Sequence, residues 1–236
     1  MHIFYVSNIN DLFLDKEESH HCTKVLRLKE NDRIFIVNGK GMFVAAEITE
    51  ISEKKTRYQI LEVQDSYHKL PYNLTIFIAP TKNINRFEWF LEKATEIGVG
   101  EIFPILCEHS ERKVIKNDRL NKVIIAAAKQ SQKAYFPILH EMKSFSEIME
   151  EFRNTDSGKY IAYCDGGEKL EINEISSVKN IIIGIGPEGD FSQKEIQSAE
   201  KSGFHPLSLG SSRLRTETAA VHACSAIKIL HDIKKQ

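Results

Sequence analysis

No apolar run in this 236-residue chain approaches the roughly 20 residues that a membrane-spanning helix needs; the runs are short stretches such as 181–183. The start, Met1-His2-Ile3-Phe4-Tyr5, lacks the basic opening and long apolar segment of an export leader and reads as a first strand, so the expected compartment is the cytoplasm. Cysteine is sparse and scattered: Cys22, Cys107, Cys164 and Cys224 form no CxxC pair. That spacing argues against a zinc centre or a disulfide framework and predicts buried free thiols, with no metal. Charge of one sign is also missing, since 32 Lys and Arg face 33 Asp and Glu for a net charge of -1. Nucleic-acid binding would therefore have to come from local patches. No internal repeat or low-complexity tract occurs, and 42% hydrophobic with 28% charged residues predicts an ordered globular protein.

One local patch is present. From Arg112 to Lys133 seven basic residues (Arg112, Lys113, Lys116, Arg119, Lys122, Lys129, Lys133) stand against the single acid Asp118. A solvated helix face is the alternative reading of that run.

The first 65 or so residues read as β-rich, with strands expected over 3–6, 33–37, 42–49 and 56–63. Asn38-Gly39-Lys40-Gly41 supplies turn chemistry between two of them, and 16–28 reads as a short helix. The polar stretch 64–73, with Pro71, is the expected linker and places the domains at 1–68 and 73–236. Beyond it, apolar strand runs (74–79, 102–106, 159–164, 180–185, 206–209) alternate with helical segments, as in a mostly parallel α/β sheet. Phe87, Phe90, Leu91, Ala94 and Ile97 form a helical stripe that Gly98 closes. Ser144-x-x-Glu147 and Ser192-x-x-Glu195 read as capping boxes. The last helix is apolar over most of 219–230, which implies burial within the domain or against another subunit.

Two loops carry the chemistry. Gly184-Ile185-Gly186-Pro187-Glu188-Gly189 matches GxGxxG formally and follows an apolar strand. A dinucleotide reading fails, because Pro187 has no N–H for a pyrophosphate, Glu188 would repel one, and the helix starts only near Ser192. The acid expected about 20 residues on, to hold a ribose, is also missing. Such a loop suits a neutral heterocycle or a cationic ligand, and a sulfonium compound such as S-adenosylmethionine combines both; a tight strand-to-helix connection is the plainer alternative. In the second loop, Leu209-Gly-Ser-Ser-Arg-Leu-Arg-Thr-Glu-Thr-Ala219, Arg213 and Arg215 precede a helix amino end that disfavours cations. Helix stability does not explain them, so Arg215 is a candidate for contact with an anion or a substrate. Thr216, Glu217 and Thr218 also suit plain capping.

The segments IGPEGDFSQKE (from Ile185) and LGSSRLRTETA (from Leu209) resemble those of the bacterial small-subunit ribosomal RNA uridine-N3 methyltransferases (RsmE-type, SPOUT superfamily). HHCTKVLRLKENDRIFIVNGKG resembles the family's N-terminal PUA-like barrel, and KNINRFEWFLEKATEIGV, HSERK and AAKQSQK resemble parts of its catalytic domain, so essentially the whole chain is covered. Asp190 departs from a usual glycine, and Ser212-Arg213 replaces the commoner arginine-then-aliphatic pair before Leu214.

The resemblance implies a small PUA-like RNA-binding β-barrel followed by a SPOUT-type α/β domain with a C-terminal trefoil knot, a homodimer, and S-adenosylmethionine as cofactor. It implies a cofactor site at Gly184, Gly186, Pro187, Glu188, Gly189, Leu209, Gly210, Leu214, Thr216 and Thr218, and catalytic roles for Arg215 and Glu217. RNA contacts are implied for His21, Lys24, Arg27, Lys82, Arg86, Arg112 and Lys113, with 16S ribosomal RNA or the small subunit as partner. An arginine aimed at the uracil oxygens would stabilise the imide anion that develops during N3 methylation. Glu217 or Glu188 as general base would need a pKa well above the ordinary carboxylate value. A SPOUT enzyme acting on another RNA, a non-catalytic RNA-binding protein and an NAD-linked oxidoreductase are the alternatives.

Overall fold

The computed structural model describes residues 1–164, 166–175 and 179–233. They fall into two compact units, Met1–Lys69 with Ile125–Phe136, and Leu70–Ile124 with Pro137–Gln236.

In the first unit, runs of β-branched and aromatic residues form β1 (Ile3–Tyr5), β2 (Arg33–Val37), β3 (Phe43–Glu50) and β4 (Arg57–Gln64). They make one sheet in chain order, with β1 parallel to β2 and the remaining pairs antiparallel. Phe4, Leu14, Ile34, Ile36, Val44, Ile48 and Tyr58 bury one side of it. Helix α1 (Lys16–His20) starts on Asp15, whose carboxylate accepts the Glu18 N–H.

The helix expected over 16–28 continues past α1 as a π-helix over His21–Val25 and ends short of residue 28. The Thr23 hydroxyl bonds back to the Ser19 carbonyl at 2.9 Å, the Leu26 N–H reaches five residues back to His21, and Arg27 turns left-handed at φ 56°. Segment 125–136 is anchored to this unit by Lys129, whose ammonium donates to both oxygens of the buried Glu18 carboxylate at 2.6 and 2.8 Å. One of those oxygens also accepts the Tyr5 N–H at 3.2 Å.

The second unit alternates strand and helix: β5 (Asn73–Ile78), α2 (Ile84–Ile97), β6 (Glu101–Leu106), α3 (Asn117–Gln130, continuing into the first unit), β7 (Ile138–Leu139), β8 (Lys143–Ser144) and α4 (Phe145–Phe152). It continues with β9 (Gly158–Ala162), β10 (Leu170–Glu171), β11 (Asn180–Ile185), α5 (Gln193–Lys201), β12 (His205–Ser208) and α6 (Thr216–Ile233). The strands pair in parallel in the order β10-β12-β9-β11-β5-β6-β7, with β8 also on β6. Phe77, Phe103, Ile161 and Ile182 share a cluster with Phe145, Ile148 and Phe152 of α4 and Ile196 of α5. Helix α6 packs on α2, β5 and β11. Both capping boxes form, at Ser144/Glu147 and Ser192/Glu195. Gly98 ends α2 at φ 122° with its N–H on the Ala94 carbonyl.

Among the described residues no helix is long and apolar enough to cross a membrane, and no group of His, Cys, Asp or Glu could hold a metal ion. Cys22, Cys107 and Cys224 are buried as expected, but Cys164 is exposed, because it follows β9 in the segment above the sheet's edge.

Candidate active site

Three neighbouring parallel strands, β12, β9 and β11, end at the same edge of the sheet, so the segments that follow them converge there. Open α/β sheets bind ligands at such carboxyl ends. Between these segments lies a cavity of about 460 Å³, within the range of small-molecule sites. Its wall is formed by Gly186, Pro187, Glu188 and Asp190 after β11, by the run 209–216 after β12, and by Tyr163, Cys164 and Lys169 after β9. Leu207, Leu209, Leu214 and Ala219 give it an apolar side, while Glu188, Asp190, Lys169, Arg213 and Arg215 bring both signs of charge.

The local sequence explains how the loops hold this shape. Gly186 and Gly210 line the cavity; Gly210 adopts φ 103°, a conformation that side-chain-bearing residues rarely take. Asp190 sits at φ 65°, a left-handed position that glycine would fill without strain and aspartate tolerates. Its carboxylate then takes up two backbone donors, Phe191 N–H at 2.8 Å and Cys164 N–H at 2.7 Å, tying the β11 loop to the end of β9. Partial desolvation of the Cys164 thiol by the cavity wall first, then the neighbouring Asp190 charge, raises the thiol pKa above its ordinary value. On the opposite side, the Thr216 hydroxyl donates to the Gly186 carbonyl at 3.0 Å and joins the first turn of α6 to the β11 loop.

Not every residue singled out from sequence meets this wall. Gly184 lies inside β11, where an added Cβ would come within 2.0 Å of the Phe77 ring, so its small size serves core packing. Gly189 faces His109, whose ring nitrogen lies 3.1 Å from the Gly189 carbonyl oxygen. Thr218 is exposed on α6 and outside the cavity lining. Arg215 lines the cavity with an exposed side chain and has no ion pair or side-chain hydrogen bond among the described residues. Its carbonyl accepts the Ala219 N–H at 2.8 Å at the start of α6. Glu217 is buried, with Arg86 Nε 3.7 Å from one carboxylate oxygen and no hydrogen-bond partner for the other.

Several basic residues read as RNA contacts carry internal bonds. Arg112 donates to the Thr81 and Lys82 carbonyls at 2.9 and 2.6 Å. Lys82 gives its N–H to the Glu188 carboxylate at 2.9 Å and pairs through its ammonium with Glu111. Arg119 pairs with Glu88, and Lys24 with Glu53. Arg27 and Lys113 are exposed, and His21 is half-buried against the edge of Phe4. Sequence reasoning missed Lys169 and Cys164 as wall residues; the only signal for them was their place just after an apolar strand.

Comparison with known proteins accounts for both units. Residues 68–228 match the RNA methyltransferase domain family, and residues 14–57 match the RNA methyltransferase PUA domain family. The class defined by fold and site is thus an RNA methyltransferase with a small PUA-like β-sheet domain at its N-terminal end. The ribosomal RNA small subunit methyltransferase E of Buchnera aphidicola subsp. Acyrthosiphon pisum is 31% identical over 224 residues, covering 92% of this chain and 87% of that protein. The crystal structure of a probable rRNA-methyltransferase from Porphyromonas gingivalis superposes with a TM-score of 0.92 at 38% identity, over 99% of this chain and 100% of that one. The ribosomal RNA small subunit methyltransferase E from Neisseria gonorrhoeae, solved bound to S-adenosyl methionine, gives a TM-score of 0.88 at 27% identity over 98% of both chains. This chain belongs to the bacterial RsmE-type family of SPOUT ribosomal RNA methyltransferases.

Proposed function

We propose that this chain is an S-adenosylmethionine-dependent methyltransferase of 16S ribosomal RNA whose target atom is N3 of a uridine. The observation that carries the reading is the cavity between the β11 and β12 loops in a chain whose relative of known structure is bound to S-adenosyl methionine.

The cavity's donor set fits that group. Leu207, Leu209 and Leu214 offer apolar surface to a purine, the Glu188 and Asp190 carboxylates favour a sulfonium charge, and Lys169 and Arg213 offer cations to a carboxylate. Pro187 and Glu188 disfavour a pyrophosphate. When bound, the group supplies an electrophilic methyl on a cationic sulfur. Gly186, Pro187, Glu188, Leu209, Gly210, Leu214 and Thr216 form the holding surface, Gly184 and Gly189 support its loops, and Thr218 is assigned to the cofactor site by the family resemblance alone.

N3 of uracil is an imide nitrogen, hidden when the base is paired, so the target has to be unpaired or turned out of its helix. Positioning such a base and stabilising its anion are the main tasks left to the protein. Arg215, exposed at the cavity wall and without an internal partner among the described residues, is the residue that meets the uracil oxygens. Glu217 works through Arg86, fixing that guanidinium from the first turn of α6. His21, Lys24, Arg27, Lys82, Arg86, Arg112 and Lys113 remain the proposed RNA contacts; for Lys24, Lys82, Arg86 and Arg112 their present pairing means that RNA competes with or extends existing bonds.

The reading includes three finer features of the family. The first unit closes as a PUA-like barrel that contributes RNA affinity, with residues 1–68 and 73–236 as the functional divisions. The C-terminal loops form a trefoil knot. Two copies associate as a homodimer, a use for Ile229 and Ile233, which α6 leaves 55% and 63% exposed.

Isothermal titration with S-adenosylmethionine, its demethylated product and NAD tests the cofactor assignment. Binding of the first two and none of NAD is expected; tight NAD binding with no response to the other two would overturn it.

A further inference from the structure

Away from the cavity, the first unit carries a column of rings that rises from its interior to its surface. Phe35 and Phe43 lie with centroids 5.4 Å apart, Phe43 and Tyr67 stack at 4.3 Å and 19°, and Tyr67 and His68 stack at 3.9 Å and 18°. Phe43 is buried, Tyr67 half-buried and His68 exposed, so the column ends on an imidazole open to solvent.

The turn that presents this ring is unusual in its backbone. Ser66 and His68 both adopt left-handed conformations, at φ 54° and 52°. Hydrogen bonds hold it there: Tyr67 N–H donates to the Gly41 carbonyl at 3.0 Å, Lys69 N–H to Ser66 at 3.3 Å, and Ser66 N–H to the Asp65 carboxylate at 2.7 Å. Two left-handed residues in three is a conformational cost, and an exposed imidazole recovers little of it through burial. The chemistry the turn does provide is a flat, pre-ordered aromatic face. Exposed Lys69 follows it directly, and exposed Lys40 precedes the Gly41 that anchors Tyr67.

We propose that the outer face of His68 is a stacking platform for an unpaired base of the substrate RNA, with Lys40 and Lys69 meeting the flanking phosphates. Unpaired bases are recognised by stacking on aromatic side chains, histidine included, while neighbouring cations follow the backbone. A flat ring flanked by lysines fits a base better than an apolar protein side chain. The proposal rests on RNA being the substrate, as argued above, and gives the first unit a specific contact in place of a diffuse charge.

The test measures methylation kinetics on 16S RNA and on small subunits, alongside S-adenosylmethionine affinity and melting temperature, for the native chain, His68→Ala and His68→Phe. His68→Ala is expected to raise the KM for RNA about tenfold, the scale of one stacked base, with kcat, cofactor affinity and melting temperature unchanged. His68→Phe should keep the native KM. An unchanged KM in His68→Ala, or an equal rise in both variants, overturns the platform. So does an effect confined to assembled subunits, which would point to a ribosomal protein as the contact. A short single strand carrying 2-aminopurine separates this proposal from the catalytic one. Its fluorescence should be quenched by the native chain and His68→Phe but not by His68→Ala, whether or not methyl transfer is observed; equal quenching by all three would also overturn the platform.

Discussion

Thr216 and Gly186 are 30 residues apart in sequence, yet the Thr216 hydroxyl donates to the Gly186 carbonyl at 3.0 Å in a buried position. The bond ties the first turn of α6 to the end of β11, and so joins the two loops that wall the cavity. Thr216→Val keeps the side-chain shape and leaves the Gly186 carbonyl without its donor, which costs about 1–3 kcal/mol for an unsatisfied buried group. Thermal unfolding should show that loss, and calorimetry should show weakened S-adenosylmethionine binding. Thr216→Ser should restore both.

Glu217 and Arg86 form a second tie. The Glu217 side chain is only 8% exposed and Arg86 is 40% exposed, so removing the guanidinium strands a largely buried carboxylate. Arg86→Ala should therefore destabilise the fold by about 1–3 kcal/mol, less than a fully buried pair because water reaches Arg86. Adding Glu217→Gln removes the stranded charge, and the double variant should recover part of the loss in denaturant melts.

How much of this was visible in the sequence depended on distance along the chain. Ser144 with Glu147, Ser192 with Glu195, and Gly98 were legible because each acts within one helical turn. The alternating strand and helix pattern was legible because burial imposes a period on every element. Thr216 was read as a capping residue, and nothing local announces that its hydroxyl serves a carbonyl on another strand. Arg112 stood out as part of a basic run, whereas the fold uses it to hold the Thr81 and Lys82 carbonyls. Segment 125–136 joins the first unit through Lys129 on Glu18, 111 residues away, and through backbone bonds of Ala134 and Phe136 to Gly41 and Gly39; sequence periodicity gives no hint of such long-range pairs. Asp190 stands where the resemblance leads one to expect glycine, yet its left-handed φ and the two backbone N–H groups its carboxylate accepts show a side chain that suits the position.

Arg215→Ala should lower single-turnover methylation at saturating RNA about a hundredfold, the effect of about 3 kcal/mol of lost transition-state stabilisation. Cofactor affinity should be unchanged. Arg215→Lys should rescue poorly, since an ammonium lacks the planar paired donors of a guanidinium. An unchanged rate with weakened cofactor binding would move Arg215 from the substrate to the cofactor.

Cys164 is the exposed thiol at the cavity wall, while Cys22, Cys107 and Cys224 are buried. Partial desolvation and the Asp190 charge raise its pKa, so its thiolate fraction at neutral pH is lower than that of a free cysteine. Alkylation followed by mass spectrometry should modify Cys164 alone in the native protein, slowly at neutral pH and faster as pH rises beyond the ordinary thiol range. Asp190→Asn removes one cause of the raised pKa and should shift that profile to lower pH. Bound S-adenosylmethionine should protect the thiol.

Methyl transfer to a uridine N3 of 16S ribosomal RNA leaves a mark that can be read directly. It is tested most directly by incubating small subunits from cells lacking this protein with the purified chain and isotopically methyl-labelled S-adenosylmethionine, then mapping the labelled nucleotide by mass spectrometry. One labelled methyl per 16S RNA is expected, carried on N3 of a uracil. Label on another base, on a ribose or on a different RNA, or no label from an S-adenosylmethionine-binding protein, would contradict it.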